Sequence, residues 1–342
     1  MEPAVLHPEG LPCPRVDSQF DPQWPAMLAA ARYAQGCRAR TNRSGSGLRR
    51  LIWLAIALVV CAGASLVRVE SAYATPTTVL LAKYGELKGK LEDNAFQKPL
   101  YLESSEIDGE VKGNLYALIQ EPFPIVQSAL KDPAHWCDIL ILHLNTKYCR
   151  ASAAGAWTIL KVNIGKKAEQ PIAQSYRVEF SYRVIAVTPD HFAVVLDAVK
   201  GPFGTRNYSI LLEAVPLKSG KTFVHLAYSY TYGTAANLAI YAYLSTAGSK
   251  KVGFTVTGQR NDGQVEYIDG VLGMVERNTM RYYLAIEAYL GALSVPLSAQ
   301  LEKRLRDWYA AAERYPRQLH EIEQNDYLRM KRGEYLRQQG EL

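Results

Sequence analysis

The stretches YRVEFSYRVIAV (176–187), HFAVVLDAV (191–199), TRNYSILLEAV (205–215) and TFVHLAYSYTY (222–232) alternate apolar and polar residues in the two-residue period of strands that bury one face. Pro189-Asp190, Gly201-Pro202 and Ser219-Gly220 separate them as turn signals. Working back along the chain, 147–152 and 157–164 read as two further strands. Consecutive strands joined by short turns imply an antiparallel meander. Val178, Phe180, Tyr182 and Val184 share one face with Phe192, Val194, Leu196, Tyr208, Ile210, Leu212, Val224, Leu226, Tyr228 and Tyr230. Arg177, Glu179, Ser181, Arg183, Asn207, Ser209, Glu213, His225 and Ser229 occupy the other. One face is therefore expected to be wet and the other covered.

The cover is expected from a helix over 270–293, where Val271, Leu272, Val275, Thr279, Tyr282, Tyr283, Ile286, Tyr289, Leu290 and Leu293 recur with a 3.6-residue period. Ahead of the meander, Val111, Leu115, Ala117 and Ile119 mark a half-buried strand beginning at Gly109, and two short helices follow over 123–130 and from Ala134 to about Leu142. The lead-in, 75–108, reads as a helix over 78–91 and then a loop. Between meander and long helix, 235–244 reads as a helix and 252–257 as a strand, with Asn261-Asp262-Gly263 as a turn. After Pro296, charged helices over 298–313 and 317–338, split at Tyr315-Pro316, read as an appended arm.

Pro122-Phe123-Pro124-Ile125-Val126, followed by Leu130-Lys131-Asp132-Pro133-Ala134-His135-Trp136, resembles the first helical turn of the START-like, or polyketide cyclase-like, domains and their L-x-D-P-x-x-W link to the second helix. The order of one strand, two short helices, a six-strand meander and a long helix agrees. The resemblance covers about 109–293 and implies an α+β helix-grip fold, in which an antiparallel sheet wraps a long helix around an apolar ligand. The stretch 233–269 is longer than that family's step into its last helix, and the tail 294–342 has no counterpart in its pattern.

Leu51 to Val60, LIWLAIALVV, follows Arg49-Arg50 and precedes small residues, which is the order of a secretory signal. Ala72-Tyr73-Ala74 before Thr75 is the favoured cleavage site over Ala62-Gly63-Ala64, giving a signal over 49–74 behind an extension, 1–48, that is disordered or misassigned. A membrane anchor over 51–67 is the rival reading, at the lower limit of length for a span. A lipoprotein reading through Cys61 lacks a small residue before the cysteine. Export would place the chain in the periplasm or outside the cell, touching membrane only through the precursor segment. It would also leave Cys137 and Cys149 as a pair, expected to form a disulfide worth about 3 kcal/mol. A Cys2His2 zinc site with His135 and His143 is the alternative.

The chain has 342 residues, 48% apolar and 21% charged, a composition able to bury a core. From Thr75 onward 31 basic residues face 28 acidic ones, too balanced for a nucleic-acid groove. No GxxxxGK[ST], CxxC, GxSxG or HExxH occurs; His320-Glu321-Ile322-Glu323-Gln324 starts like the last but lacks the second histidine. His225, Asp197 and Glu213 read as solvated residues of the polar sheet face. The distinctive feature is 22 Tyr against 8 Phe, since tyrosine suits a surface apolar in its ring and hydrogen-bonding at its tip. Phe180, Tyr182, Phe192, Tyr208, Leu226, Tyr228, Tyr230, Thr279, Tyr282 and Tyr283 are the candidate ligand-binding residues, with Glu276, Arg277 and Arg281 as candidates to orient a polar head group. The expectation is a carrier or sensor of a hydrophobic, lipid-like molecule needing no metal or other cofactor. An enzyme of cyclase or hydrolase type is the alternative, and an envelope module binding a partner protein through Trp308, Tyr309, Tyr315, Leu319 and Tyr327 a third.

Overall fold

A computed structural model describes residues 75–155, 157–233, 248 and 251–340. The expected signal segment with Ala74, the three upstream cysteines and the expected helix over 235–244 lie outside the described residues.

Helix α1 (Pro76–Glu92) starts at Thr75, whose hydroxyl accepts from the Thr78 amide at 3.3 Å. Strands β1 (Leu100–Ile107) and β2 (Glu110–Ile119) follow, then helices α2 (Phe123–Leu130) and α3 (Pro133–Leu140). The meander comprises β3 (Thr146–Ala154), β4 (Trp157–Ile164), β5 (Tyr176–Val187), β6 (Phe192–Lys200), β7 (Arg206–Pro216) and β8 (Thr222–Thr231). Among the described residues these eight strands make one antiparallel sheet in the order β1-β2-β8-β7-β6-β5-β4-β3. A small hairpin of β9 (Val256–Gln259) and β10 (Val265–Tyr267) precedes the long helix α4 (Gly270–Gly291), and α5 (Leu297–Glu313), α6 (Pro316–Leu319) and α7 (Gln324–Gln339) complete the chain.

The register explains the core. Leu115, Leu226, Leu212 and Val194 lie side by side across four strands and are fully buried. Helix α4 crosses this face, burying Val275, Tyr283, Ile286 and Leu290. At the crossing a Cβ on Gly113 would lie 2.2 Å from the Thr279 hydroxyl oxygen, so only glycine lets helix and strand approach this closely. This is the α+β helix-grip arrangement.

The link between α2 and α3 shows what its motif residues do. Asp132 caps α3 by accepting from the Ala134 amide at 2.8 Å, and Trp136 Nε1 donates to the Leu130 carbonyl at 2.8 Å. The Tyr182 hydroxyl reaches the same carbonyl at 3.1 Å, tying the helix pair to β5. Cys137 and Cys149 form the expected disulfide, joining α3 to β3. Their sulfurs are bonded to each other, so the zinc reading does not describe this chain.

Several expectations are corrected. The loop read after Leu91 contains edge strand β1, whose polar residues Glu103, Ser104, Ser105 and Glu106 hid it until pairing with β2 fixed it. The outer sheet face is not wholly wet: Leu80, Leu87 and Leu91 of α1 pack on Tyr116, Val215 and Phe223. His225 is likewise not solvated, for it contacts Glu213 at 3.1 Å and Asn114 at 3.0 Å and stacks on Tyr116 at 4.4 Å. Val184 faces outward at 40% exposure, beside a register shift in the β5–β6 pairing. The strand read over 252–257 lies later, at Val256–Gln259.

The tail is no appended arm. Leu305, Trp308, Leu319 and Tyr327 lie in the main core; Trp308 stacks on Tyr327 at 5.0 Å and donates to the Arg281 carbonyl at 3.2 Å. Tyr309 and Tyr315 pack against the same core. The tail aromatics proposed for a partner are thus committed inside the chain. Helix α7 also lies along edge strand β3, where Gln338 accepts from the Cys149 amide at 3.1 Å and Lys331 donates to the His143 and Thr146 carbonyls at 2.7 and 2.8 Å.

Candidate functional site

At the sheet end holding the β6–β7 turn, the grip between sheet and α4 leaves a cavity of about 350 Å³. The alternation of β7 and β8 turns Tyr208, Tyr228 and Tyr230 into it, and the first turns of α4 contribute Met274, Arg277, Asn278 and Arg281. Asn145, Lys167, Pro202, Phe203 and Thr205 close the sides from three turns.

The sheet wall is aromatic. Tyr208 and Tyr230 stack at 5.2 Å, Tyr228 lies 5.8 Å from Tyr230, and Tyr282 backs Tyr228 at 5.2 Å. Burial pushes the phenols of Tyr208, Tyr228, Tyr230 and Tyr282 up, keeping them protonated donors at physiological pH. The Tyr208 hydroxyl pairs with Thr205 at 2.8 Å. The Tyr230 hydroxyl is buried and has no hydrogen-bond partner among the described residues. Such a group carries an uncompensated desolvation cost of about 1 to 3 kcal/mol unless something in the cavity meets it.

The helix wall is basic. Arg281 and Lys167 meet the Glu321 carboxylate at 2.7 and 2.6 Å. Burial pushes Glu321 up, and Arg281 and Lys167 more than offset this, holding it below the ordinary carboxylate value. Arg277 donates to the Val252 carbonyl at 3.2 Å. Burial and the charges of Arg281, Lys331 and Lys167 hold the His143 imidazole well below its ordinary value, hence neutral, and its ring stacks on Tyr282 at 5.1 Å.

Of the residues expected at a site, the cavity brings together Tyr208, Tyr228, Tyr230, Arg277 and Arg281, with Tyr282 behind them. The structure places the rest elsewhere. Phe180, Phe192 and Leu226 are packed core, Thr279 sits against Gly113, and Tyr182 holds the Leu130 carbonyl. Tyr283 is buried, with its hydroxyl 3.5 Å from Glu287. Glu276 anchors the chain ahead of β9 by accepting from the Phe254 and Thr255 amides at 2.6 and 3.0 Å and from the Ser104 hydroxyl at 2.8 Å. Met274 and Asn278 were missed in the sequence, although they recur at helical spacing with Arg277 and Arg281, one step around α4 from its apolar stripe. Asn145, Lys167 and Phe203 sit on turns, which carry no periodic signal. Among the described residues no group of three or more His, Cys, Asp or Glu is placed to hold a metal ion.

No protein-family model matches the chain, and no curated protein sequence does. Among solved structures it is similar to a conserved protein from Geobacillus kaustophilus, at 14% identity and a TM-score of 0.30, over 53% of this chain and 95% of that one. It is also similar to human StAR-related lipid transfer protein 5, at 10% identity and a TM-score of 0.28, over 50% and 89% of the two chains. The Zhui aromatase/cyclase from Streptomyces sp. R1128 matches at 11% identity and a TM-score of 0.27, over 65% and 99%. At these scores the helix-grip fold rests on the chain's own element order and on the grip of its sheet around α4.

Proposed function

We propose that this chain is an exported carrier or sensor that holds a small, largely apolar molecule in the cavity between β7, β8 and α4. The observation that carries this reading is the Tyr230 hydroxyl, buried in the cavity wall without a partner among the described residues, where a bound molecule would supply one. About 350 Å³ falls at the lower end of ligand pockets, near the room of about a dozen waters. The surrounding tyrosine rings offer a flat apolar surface with polar tips.

Filling the cavity tests this. Met274 lines it and is only partly buried, so Met274→Trp should cut the affinity for a fluorescent fatty-acid probe at least about tenfold with little change in melting temperature. Leu226 and Thr279 are unsuitable for this test, because they are packed core where an enlarged side chain costs about 1 to 3 kcal/mol. A wild-type chain that binds no probe, or a Met274→Trp chain that binds it equally well, contradicts the proposal.

Export is the second part of the proposal. The Arg49-Arg50 pair, the apolar run Leu51 to Val60 and the Ala72-Tyr73-Ala74 site support it, as does a disulfide, which persists in oxidising compartments. N-terminal sequencing of envelope-fraction protein should begin near Thr75. An intact Met1 on cytosolic protein would count against it.

A further inference from the structure

We propose that the molecule held in this cavity is a flat, ring-bearing compound with a carbonyl or ether oxygen, its rings packed on the tyrosine wall and its oxygen accepting a hydrogen bond from the Tyr230 hydroxyl. The inference rests on the reading of the cavity as a ligand site and adds the chemistry of the ligand. Its first support is the state of the three hydroxyls on the sheet wall. The Tyr208 hydroxyl pairs with Thr205 at 2.8 Å, and the Tyr228 hydroxyl with the side chain of Asn278. Tyr230 is 3% exposed, and its hydroxyl has no partner among the described residues. Burial pushes this phenol up, so it keeps its proton and calls for an acceptor.

The second support is the engagement of the cations on the opposite wall. Lys167 and Arg281 meet Glu321 at 2.6 and 2.7 Å, and Arg277 donates to the Val252 carbonyl at 3.2 Å. These side chains are held by the protein's own groups, so recognition of the ligand falls to the phenol, for which an uncharged oxygen suffices. A carbonyl or ether reaches it at a smaller desolvation cost than a carboxylate. The third support is the shape of the apolar wall. The rings of Tyr208 and Tyr230 lie 17° from parallel with centroids 5.2 Å apart, and Tyr228 lies 5.8 Å from Tyr230. The Tyr208 ring is fixed from two sides: a Cβ on Gly201 would lie 2.2 Å from it, so glycine is needed there, and Thr205 holds its hydroxyl. Rings already set in place offer an aromatic ligand the offset and edge contacts that an aliphatic chain lacks, without the cost of ordering side chains on binding.

The test titrates the purified chain with the neutral dye 6-propionyl-2-dimethylaminonaphthalene and with its analogue in which a methylene replaces the carbonyl. The ketone is expected to bind at least about threefold more tightly, although the analogue is the more hydrophobic of the two. Tyr230→Phe removes a hydroxyl that has no partner among the described residues, so it should not lower the melting temperature. It should lower affinity for the ketone about threefold to tenfold, shift the bound dye's emission to the blue as the carbonyl loses its donor, and leave the analogue's affinity unchanged. Displacement of the dye by two ketones of equal carbon number tests the shape: 2-acetylnaphthalene should compete at least about threefold better than 2-dodecanone, against the order of their hydrophobicity. Equal affinities for ketone and analogue, or a Tyr230→Phe variant that affects both alike, would mean that water rather than the ligand meets the phenol; either result overturns the inference and leaves the cavity reading standing. A 2-dodecanone that competes as well as 2-acetylnaphthalene overturns the flat-ring assignment. If neither dye binds, or Met274→Trp binds both as well as wild type does, the cavity reading fails and the inference fails with it.

Discussion

Lys331 is fully buried, yet its ammonium is well met, donating to the His143 and Thr146 carbonyls and to Glu334 at 2.7 Å. Glu334 also holds Lys147 at 2.9 Å, so two buried lysines share one carboxylate. Burial pushes Lys331 from 10.5 down to about 8, against the opposing pull of Glu334. Below about 8 both folded and unfolded chains carry this proton; between about 8 and 10.5 the unfolded chain alone retains it. Stability from this group therefore rises with pH across that window, by up to about 1.4 kcal/mol per unit. The unfolding free energy of wild type relative to Lys331→Met should climb between pH 8 and 10. A flat difference contradicts a lysine whose proton is disfavoured by burial. None of this was legible in the sequence, where Lys331 and Glu334 are two charges among many in a helix read as part of an appended arm. Their burial depends on carbonyls and a carboxylate brought in by tertiary packing, and hydropathy sees only the charge. Tyr182 is the converse case: alternation correctly turned it inward, but its partner, the Leu130 carbonyl, makes it a tie between helix and sheet.

The elements that could be read ahead of the structure are those with a strong period and clear punctuation. Strands β5 to β8 alternate between well-marked turns, and α4 keeps its apolar stripe across its length. Strand β1 could not be read this way, since four consecutive polar residues in its second half break the alternation and its strand conformation comes from pairing with β2. The tail helices were recognised as helices but not as core, because Leu305, Trp308, Ala312 and Tyr327 are scattered among charged residues. Their burial gives a prediction. Ending the chain at Pro296 removes Trp308 and Tyr327 and uncovers α4 and the β3 edge; loss of a buried tryptophan alone costs about 3 to 5 kcal/mol. The truncated chain should be insoluble or lose its near-ultraviolet dichroism. A soluble product with cooperative unfolding would show that the tail is dispensable. The cavity itself was half legible: Tyr208, Tyr228 and Tyr230 follow from strand alternation, whereas Lys167, Asn145 and Phe203 arrive on turns whose paths depend on the rest of the fold.

Taken whole, the described chain is a sheet gripped around α4, covered on its outer face by α1 and along the β3 edge by α7, with a cavity left open at one end. The disulfide and the shared Leu130 carbonyl fix α2 and α3 to the sheet, while Glu276 fixes the chain ahead of β9. Rigid anchors therefore surround the two walls of the cavity, and the tyrosines and arginines facing one another across it are placed before any ligand arrives. Among the described residues no helix is long and apolar enough to cross a membrane. The most direct test of the central claim is organic extraction and mass spectrometry of the chain purified from its native cells, side by side with Met274→Trp. The account predicts an amphiphilic compound approaching one per wild-type chain and depleted from the variant. Wild-type chain that yields no such compound, or a variant that retains it in equal amount, would contradict a ligand held between β7, β8 and α4.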